Sequence, residues 1–254
     1  MMHLLKKEKN YSYIETGEGT PIIILHGLMG GLSNFDSVTK YFSKKGYRVI
    51  IPELPIYSMS LIKTNVKSFA KYLHDFIEFK ELDNVILLGN SLGGHIGLYH
   101  TKLYPEKIKA LVITGSSGLY ESAMGGGYTK RSDYDVIKKK SQDVFYDPEV
   151  ATKEIVDEVY ATVNDRNKLI KTLAIAKSAI RHNMAKDLPK MKIPTCIIWG
   201  KNDSVTPPEV AEEFNSLLPD ADLYWIDKCG HAAMMEHPEE FNKILESWLT
   251  KRNL

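Results

Sequence analysis

The sequence predicts an α/β domain with a doubly wound, mostly parallel sheet and an inserted helical segment. Two observations predict it. Short runs that are apolar throughout alternate with amphipathic stretches along most of the chain, and this rhythm breaks once, between about residues 118 and 188. Strands covered by helices on both faces read as continuous apolar runs instead of alternating ones. A βαβα order is that of helices packed on both faces of a parallel sheet.

Weak strand patterns at 3–7 and 11–15 are expected to pair as an antiparallel hairpin at the sheet's edge. Apolar runs then predict strands at 21–25, 47–51, 85–88, 108–114, 193–199 and 222–226. Helical patterns lie between them at 34–44, 66–79, 92–104, 208–217 and 239–249. Within 66–79, Phe69, Leu73, Phe76 and Ile77 recur at helical spacing and mark a buried face. From 118 to 188 only helical patterns appear, at 154–163 and 169–179, before Pro189 and Pro194 mark the return to the sheet. The expected organisation is a core of residues 1–117 and 189–254, interrupted by a helical lid of 118–188 over the carboxyl ends of the strands. Gly125-Gly126-Gly127 is a candidate hinge, because glycine reaches backbone angles that other residues avoid. A surface loop without a gating role is the alternative.

A chain of 254 residues buries a sizeable core. Lys+Arg at 33 against Asp+Glu at 32 leaves a net charge of +1, so neither nucleic acid nor a membrane surface is expected as the main partner. Lys138-Lys139-Lys140 reads as a solvated helix face. The two cysteines, Cys196 and Cys229, have no metal-like spacing and are expected as free thiols, as in a reducing compartment. The opening Met-Met-His-Leu-Leu-Lys-Lys-Glu lacks the apolar core of a signal peptide, and the apolar runs are too short to span a bilayer. The expected location is the cytoplasm. No pattern asks for a cofactor or a metal, and the oligomeric state is left open.

Gly89-Asn90-Ser91-Leu92-Gly93-Gly94 follows the apolar run 85–88 and opens a helical pattern. In a G-x-S-x-G turn between strand and helix, the serine takes a strained backbone conformation that lifts its hydroxyl above the strand end. The flanking glycines let strand and helix approach closely. The alternative, a phosphate-binding loop, lacks the middle glycine of G-x-G-x-x-G and the G-K-[ST] of a P-loop. A serine hydroxyl needs a base, and the base needs an orienting carboxylate. Gly200-Lys201-Asn202-Asp203 and Asp227-Lys228-Cys229-Gly230-His231 each follow a later strand, in the order serine, acid, histidine. Rival bases are His95 and His100 on the helix after Ser91, His237 before Pro238, and His26, which reads as shaping its own loop. Rival acids are Asp227, which lies too close in sequence to His231 to support it from a neighbouring strand, and Asp222. Two backbone N–H groups, of Leu28 in Leu25-His26-Gly27-Leu28-Met29-Gly30-Gly31 and of Leu92 at the start of the helix, are the candidate oxyanion donors. The same loop also reads as a plain glycine-rich turn.

His-Gly-Leu-Met-Gly-Gly, Gly-Asn-Ser-Leu-Gly-Gly, Trp-Gly-Lys-Asn-Asp and Cys-Gly-His-Ala-Ala-Met-Met-Glu-His-Pro-Glu-Glu-Phe together resemble the α/β-hydrolase fold superfamily. The resemblance runs from about residue 11 to 249, leaving out the insertion. It implies Ser91 as nucleophile, His231 as base and Asp203 as acid. Within the superfamily, the serine and histidine motifs are similar to carbon–carbon bond hydrolases that act on meta-cleavage products of aromatic degradation. In that group a lid arginine binds the substrate carboxylate, for which Arg166 and Arg181 are available, and a tryptophan often follows the catalytic histidine where this chain has Ala232. Residues 52–60, Pro-Glu-Leu-Pro-Ile-Tyr-Ser-Met-Ser, also depart from the Asp-Leu-Pro-Gly-x-Gly common in the superfamily.

The expected activity is hydrolysis of a small-molecule ester, thioester or lactone of an apolar acid. Tyr120, Met124, Tyr128, Phe145 and Tyr160 are the candidates for an apolar cleft. Carbon–carbon bond hydrolysis of a dienoate is the alternative, and a weakly hydrolytic ligand receptor a third.

Overall fold

A computed structural model of the protein describes residues 4–120 and 130–254. Gly125-Gly126-Gly127, Met124 and Tyr128 lie outside the described residues. Eight strands form one sheet: β1 (Lys6–Glu8), β2 (Tyr11–Thr16), β3 (Thr20–Leu25), β4 (Tyr47–Pro52), β5 (Val85–Asn90), β6 (Ile108–Thr114), β7 (Thr195–Gly200) and β8 (Ala221–Ile226). Their order across the sheet is β1-β2-β4-β3-β5-β6-β7-β8. The first two strands run antiparallel, Lys6 opposite Tyr13 and Tyr13 opposite Pro52, so the expected hairpin does form the sheet's edge. Every other pairing is parallel.

The continuous apolar runs are divided by the two-residue period of a strand between two separate cores. Ile22, Ile24, Val49, Ile51, Ile86, Leu88, Val112 and Ile198 face one layer, where α1 (Asp36–Phe42) and α8 (Pro238–Lys251) supply Val38, Phe42, Leu245 and Trp248. Ile23, Leu25, Ile50, Leu87, Leu111, Ile113, Ile197 and Trp199 face the other, built on α2 (Val66–Phe79), α3 (Leu92–Leu103) and α7 (Pro208–Leu217). Phe69, Leu73, Phe76 and Ile77 are all fully buried there, as their spacing requires. The Asn65 side chain caps α2 by accepting from the Ser68 N–H at 3.0 Å. The helical pattern at 34–44 resolves into a 3₁₀ turn at Leu32–Phe35 followed by α1.

Among the described residues, the segment between β6 and β7 holds helices and no strand, with α4 (Tyr134–Gln142), α5 (Lys153–Asn164) and α6 (Arg166–Arg181). The sequence pattern does not delimit α4, whose face carries only Ile137 and Ser141 as buried residues. Asp133 and Asp165 cap α4 and α6 through their side chains. The neck closes where the Met184 N–H donates to the Gly118 carbonyl at 2.8 Å. The segment has its own small core of Ile137, Val163 and Leu169, against which Met29 of the loop after β3 also packs. Among the described residues no helix is long and apolar enough to cross a membrane.

Glu15 ties the edge hairpin down. Burial works to raise its carboxyl, but hydrogen bonds from Lys6, Arg48 and Lys80 outweigh this and hold it at about 2. Two buried histidines on α3 behave in the opposite way. Burial pushes His95 and His100 down to about 3, aided by the neighbouring His182 and His74 rings respectively. Among the described residues, His100 has no hydrogen-bond partner on either ring nitrogen, and His95 has none on Nδ1. Both are therefore neutral in the folded chain, while an unfolded chain binds protons at each below about pH 6.5. Stability is fully present above that pH and falls towards pH 3, by about 1.4 kcal/mol per pH unit for each histidine. Urea unfolding between pH 7 and pH 4 is expected to show this decline, and His100→Leu is expected to flatten it by one proton's share.

Candidate active site

Four loops at the carboxyl ends of parallel strands meet at one place. The loops after β3 and β5 lie side by side where the strand order reverses, with Leu25 paired to Gly89 in the sheet. Such a reversal point opens a crevice beyond the strand ends. The loops after β7 and β8 reach into it from the same side.

Ser91 stands at the turn from β5 into α3 with φ 54° and ψ −119°, a conformation that side-chain-bearing residues rarely adopt. The surroundings hold it there. Its N–H donates to the Thr114 carbonyl at 3.1 Å, and its carbonyl accepts from the His95 and Ser117 N–H groups, each at 3.2 Å. The glycines have a physical role in this turn. A Cβ on Gly93 would collide with the Leu25 carbonyl, and one on Gly89 with the Gly93 and Gly94 backbone. Asn90 sends its Nδ2 to two carbonyls, of Thr114 at 3.0 Å and of His231 at 3.1 Å, which links the turn to the histidine loop.

Asp203 and His231 are brought together. The His231 Nδ1 lies 2.9 Å from Asp203 Oδ2, and since an ionised carboxylate only accepts, Nδ1 carries the proton and Nε2 has a free lone pair. Both side chains are almost fully buried. Asp203 Oδ1 accepts from the backbone N–H groups of Val205 at 2.8 Å and Thr206 at 2.9 Å. Oδ2 also takes the Thr206 hydroxyl at 2.8 Å. Gly115, at φ 52°, leaves room for the histidine; a Cβ there would sit 2.8 Å from His231 Nδ1. Ser91 and His231 line the same cavity, although among the described residues no hydrogen bond joins their side chains. Contacts of this kind commonly tighten when substrate binds.

None of the rival residues lines the cavity that Ser91 lines, and all but His100 are engaged elsewhere. Asp227 is at the surface beside Lys201, and Asp222 is bound by Arg252 and the Trp248 indole. His95 pairs with His182 at 2.9 Å. His237 Nε2 donates to the Lys228 carbonyl at 2.8 Å. His26 bridges two loops, with Nδ1 donating to the Gly27 carbonyl at 3.0 Å and Nε2 accepting from the Leu54 N–H at 3.1 Å. Burial pushes its imidazole down as well.

The cavity above Ser91 has a volume of about 360 Å³. Leu28, Met29 and Asn34 form one wall, and Val144, Phe145, Ile155 and Val159 of the insertion form the facing one. Among the described residues neither the Leu28 nor the Leu92 N–H donates to another protein group, which leaves both amides unspent. Two expectations need correction. Lys140, assigned to a solvated face, turns into the cavity wall while Lys138 and Lys139 stay exposed, because α4 directs successive side chains about 100° apart. Of the described aromatic candidates only Phe145 lines the cavity; Tyr120 is exposed, and Tyr160 packs in the insertion and donates to the Ser132 carbonyl at 3.1 Å. Arg166 and Arg181 both lie on the exposed side of α6 and do not line it.

The segment between β6 and β7 also fastens the loops that carry Asp203 and His231. The His231 N–H donates to the Val144 carbonyl at 2.8 Å, and the Ser204 hydroxyl donates to the Asp143 carbonyl at 2.9 Å. The Glu236 carboxylate accepts from the Gly230 and Asp147 N–H groups, each at 2.6 Å. These cross-links, with Thr206, Gly115 and Asn90, were not legible as site features, since each acts through a partner distant in sequence. Among the described residues no three His, Cys, Asp or Glu side chains cluster in a way that would hold a metal ion. Cys196 and Cys229 are free and buried.

The model of the alpha/beta hydrolase fold family matches residues 20–148 and 128–238. A 2-hydroxy-6-oxo-6-(2'-aminophenyl)hexa-2,4-dienoic acid hydrolase of Metapseudomonas resinovorans is 30% identical over 258 residues, covering 94% of this chain and 87% of that protein. Lipase 1 of Psychrobacter immobilis is 28% identical and covers 92% of this chain and 81% of its own. The crystal structure of MGS-MChE2, an alpha/beta hydrolase enzyme from a sediment metagenome of the Mar Chica lagoon in Morocco, is 65% identical. It covers 99% of this chain and all of its own, with a TM-score of 0.83.

The Gly93 contact gives a direct test of the turn. Gly93→Ala must push α3 away from β3 and is expected to destabilise the protein by about 3 kcal/mol or more, measured by urea unfolding. An equally placed Gly31→Ala, whose Cβ meets only the Ser33 side chain at 3.6 Å, is expected to be nearly neutral.

Proposed function

The chain belongs to the alpha/beta hydrolase fold family and is a hydrolase, and on that premise we propose that it cleaves an ester, thioester or lactone of a small apolar acid through an acyl-enzyme on Ser91. The observation that carries this reading is the 2.9 Å bond from His231 to Asp203 in the cavity that Ser91 also lines. With Nδ1–H given to Asp203, His231 Nε2 takes the proton from the Ser91 hydroxyl as Oγ attacks the acyl carbon. The Leu28 and Leu92 N–H groups receive the oxyanion, and the positive end of α3 favours the same charge. The leaving alcohol or thiol departs with the proton from Nε2. A water then gives its proton to Nε2 and attacks the acyl carbon, and His231 returns that proton to Ser91 Oγ as the acid leaves. In this reading residues 118–188 form a cap whose α4–α5 side closes the cavity over the acyl group.

The lining favours an uncharged substrate. Among the described residues it contains no arginine, residues 121–129 contain none in sequence, and Glu158 adds an acid at its wall. Lys140 is the one lysine or arginine among the described lining residues. That lysine and the name of the Metapseudomonas relative support carbon–carbon bond hydrolysis as the second reading.

A panel of p-nitrophenyl esters and a coloured dienoate decides between them. We expect short-chain and medium-chain esters to turn over with the higher kcat/KM, and Ser91→Ala to abolish both that activity and labelling by a fluorophosphonate. Faster turnover of the dienoate would replace the ester reading. Labelling of Ser91 with no turnover of any substrate would point to a ligand receptor, and full esterase activity in Ser91→Ala would overturn the mechanism.

A further inference from the structure

We propose that Thr206 is a positioning residue for the acid of the triad, and that Trp199 holds it in place. The inference rests on the triad reading above and adds two residues to it. A carboxylate has about four acceptor sites, and those of Asp203 are all filled by donors. Val205 N–H and Thr206 N–H occupy Oδ1 at 2.8 and 2.9 Å, while the Thr206 hydroxyl and His231 Nδ1–H share Oδ2 at 2.8 and 2.9 Å. Three of the four donors come from Val205 and Thr206, two and three residues after Asp203 itself. The two backbone donors fix Oδ1, but they leave the carboxylate a torsional freedom about that oxygen. The Thr206 hydroxyl removes this freedom by claiming the same oxygen that faces the histidine.

The hydroxyl is also 3.3 Å from His231 Nδ1, so it closes a triangle with the acid and the base. Thr206 is fully buried, and its hydroxyl hydrogen has one described acceptor within that triangle that is charged, which orients it towards Oδ2. The residue's backbone is held in turn. The Trp199 indole N–H, at the end of β7 and fully buried, donates to the Thr206 carbonyl at 2.9 Å. A strand residue thus pins the loop that presents the acid, and the pinned residue orients the acid. Thr206 touches neither substrate nor the reacting atoms in this scheme; it acts through Asp203.

The test compares Thr206→Val, Thr206→Ala and Thr206→Ser with Asp203→Asn, on the best ester of the panel. Without the hydroxyl, kcat is expected to fall about 10- to 100-fold, the worth of one hydrogen bond to a charged group, with KM nearly unchanged. Thr206→Ser keeps the hydroxyl and is expected to restore most of kcat. Adding Thr206→Val to Asp203→Asn is expected to cost little more, because the carboxylate it orients is gone. The far-downfield proton resonance of His231 Nδ1–H is expected to shift or broaden in Thr206→Val and to persist in Thr206→Ser, which a merely packing role would not produce. If Thr206→Val fails to fold, Thr206→Ala and Thr206→Ser carry the same comparison. Wild-type kcat in the hydroxyl-free variants, or an equal loss in Thr206→Ser, beside an impaired Asp203→Asn would overturn this inference alone. Full activity in Asp203→Asn would instead remove the triad reading, and this inference with it.

Discussion

The approach of α3 to the ends of β3 and β5 is the constraint on which the site depends. At Ser91 the chain leaves a strand and enters a helix within one residue, and the left-handed φ of 54° is the cost of that turn, about 1–3 kcal/mol for a residue with a side chain. The turn persists because the Ser91 N–H donates to Thr114 and the Ser91 carbonyl accepts from Ser117 and His95, which fixes the residue on both sides. It is compact because Gly89, Gly93 and Gly94 stand where any Cβ would meet backbone or the Ser116 side chain. The outcome is a serine placed at the strand ends with the first free amide of a helix beside it.

Around this turn the remaining parts are fixed by cross-links between loops and not by any single loop. Asn90 connects the serine turn to the His231 backbone, and Gly115 clears space for the ring. Val144 and Glu236 connect the histidine loop to the helical insertion, and Ser204 connects the acid loop to the same segment. The insertion therefore does two things at once. It supplies one apolar wall of the cavity through Val144, Phe145, Ile155 and Val159, and its 143–147 segment braces the loops that carry His231 and Asp203. A change in this segment acts on the placement of His231 as well as on the shape of the cavity.

Much of the fold was legible because its signals are local. The β3 and β5 runs declare themselves by being apolar without interruption, β4 and β6 by the apolar stretches 49–51 and 110–113, and α2 by the spacing of Phe69, Leu73, Phe76 and Ile77. α4 did not, since a helix that buries only Ile137 and Ser141 leaves almost no periodic pattern. The pairing of Asp203 with His231 followed from chain order alone, since each comes just past the end of a neighbouring parallel strand. Lys140 and Phe145 show the limit: one was read as solvated, the other as one of four aromatics among five candidates, and only the tertiary packing of this segment sets both in the cavity wall.

By itself, then, the sequence determined the layered α/β architecture, the strand-turn-helix that carries Ser91, and the two strand ends that carry its partners. These depend on hydrophobic period and on glycine placement, which act over a few residues. The tertiary structure alone decided that no arginine enters the described cavity wall, that Thr206 completes the shell of donors around Asp203, and that the insertion braces the histidine loop. Those are contacts between segments tens of residues apart in the chain, fixed by how the layers pack, and no local pattern encodes them.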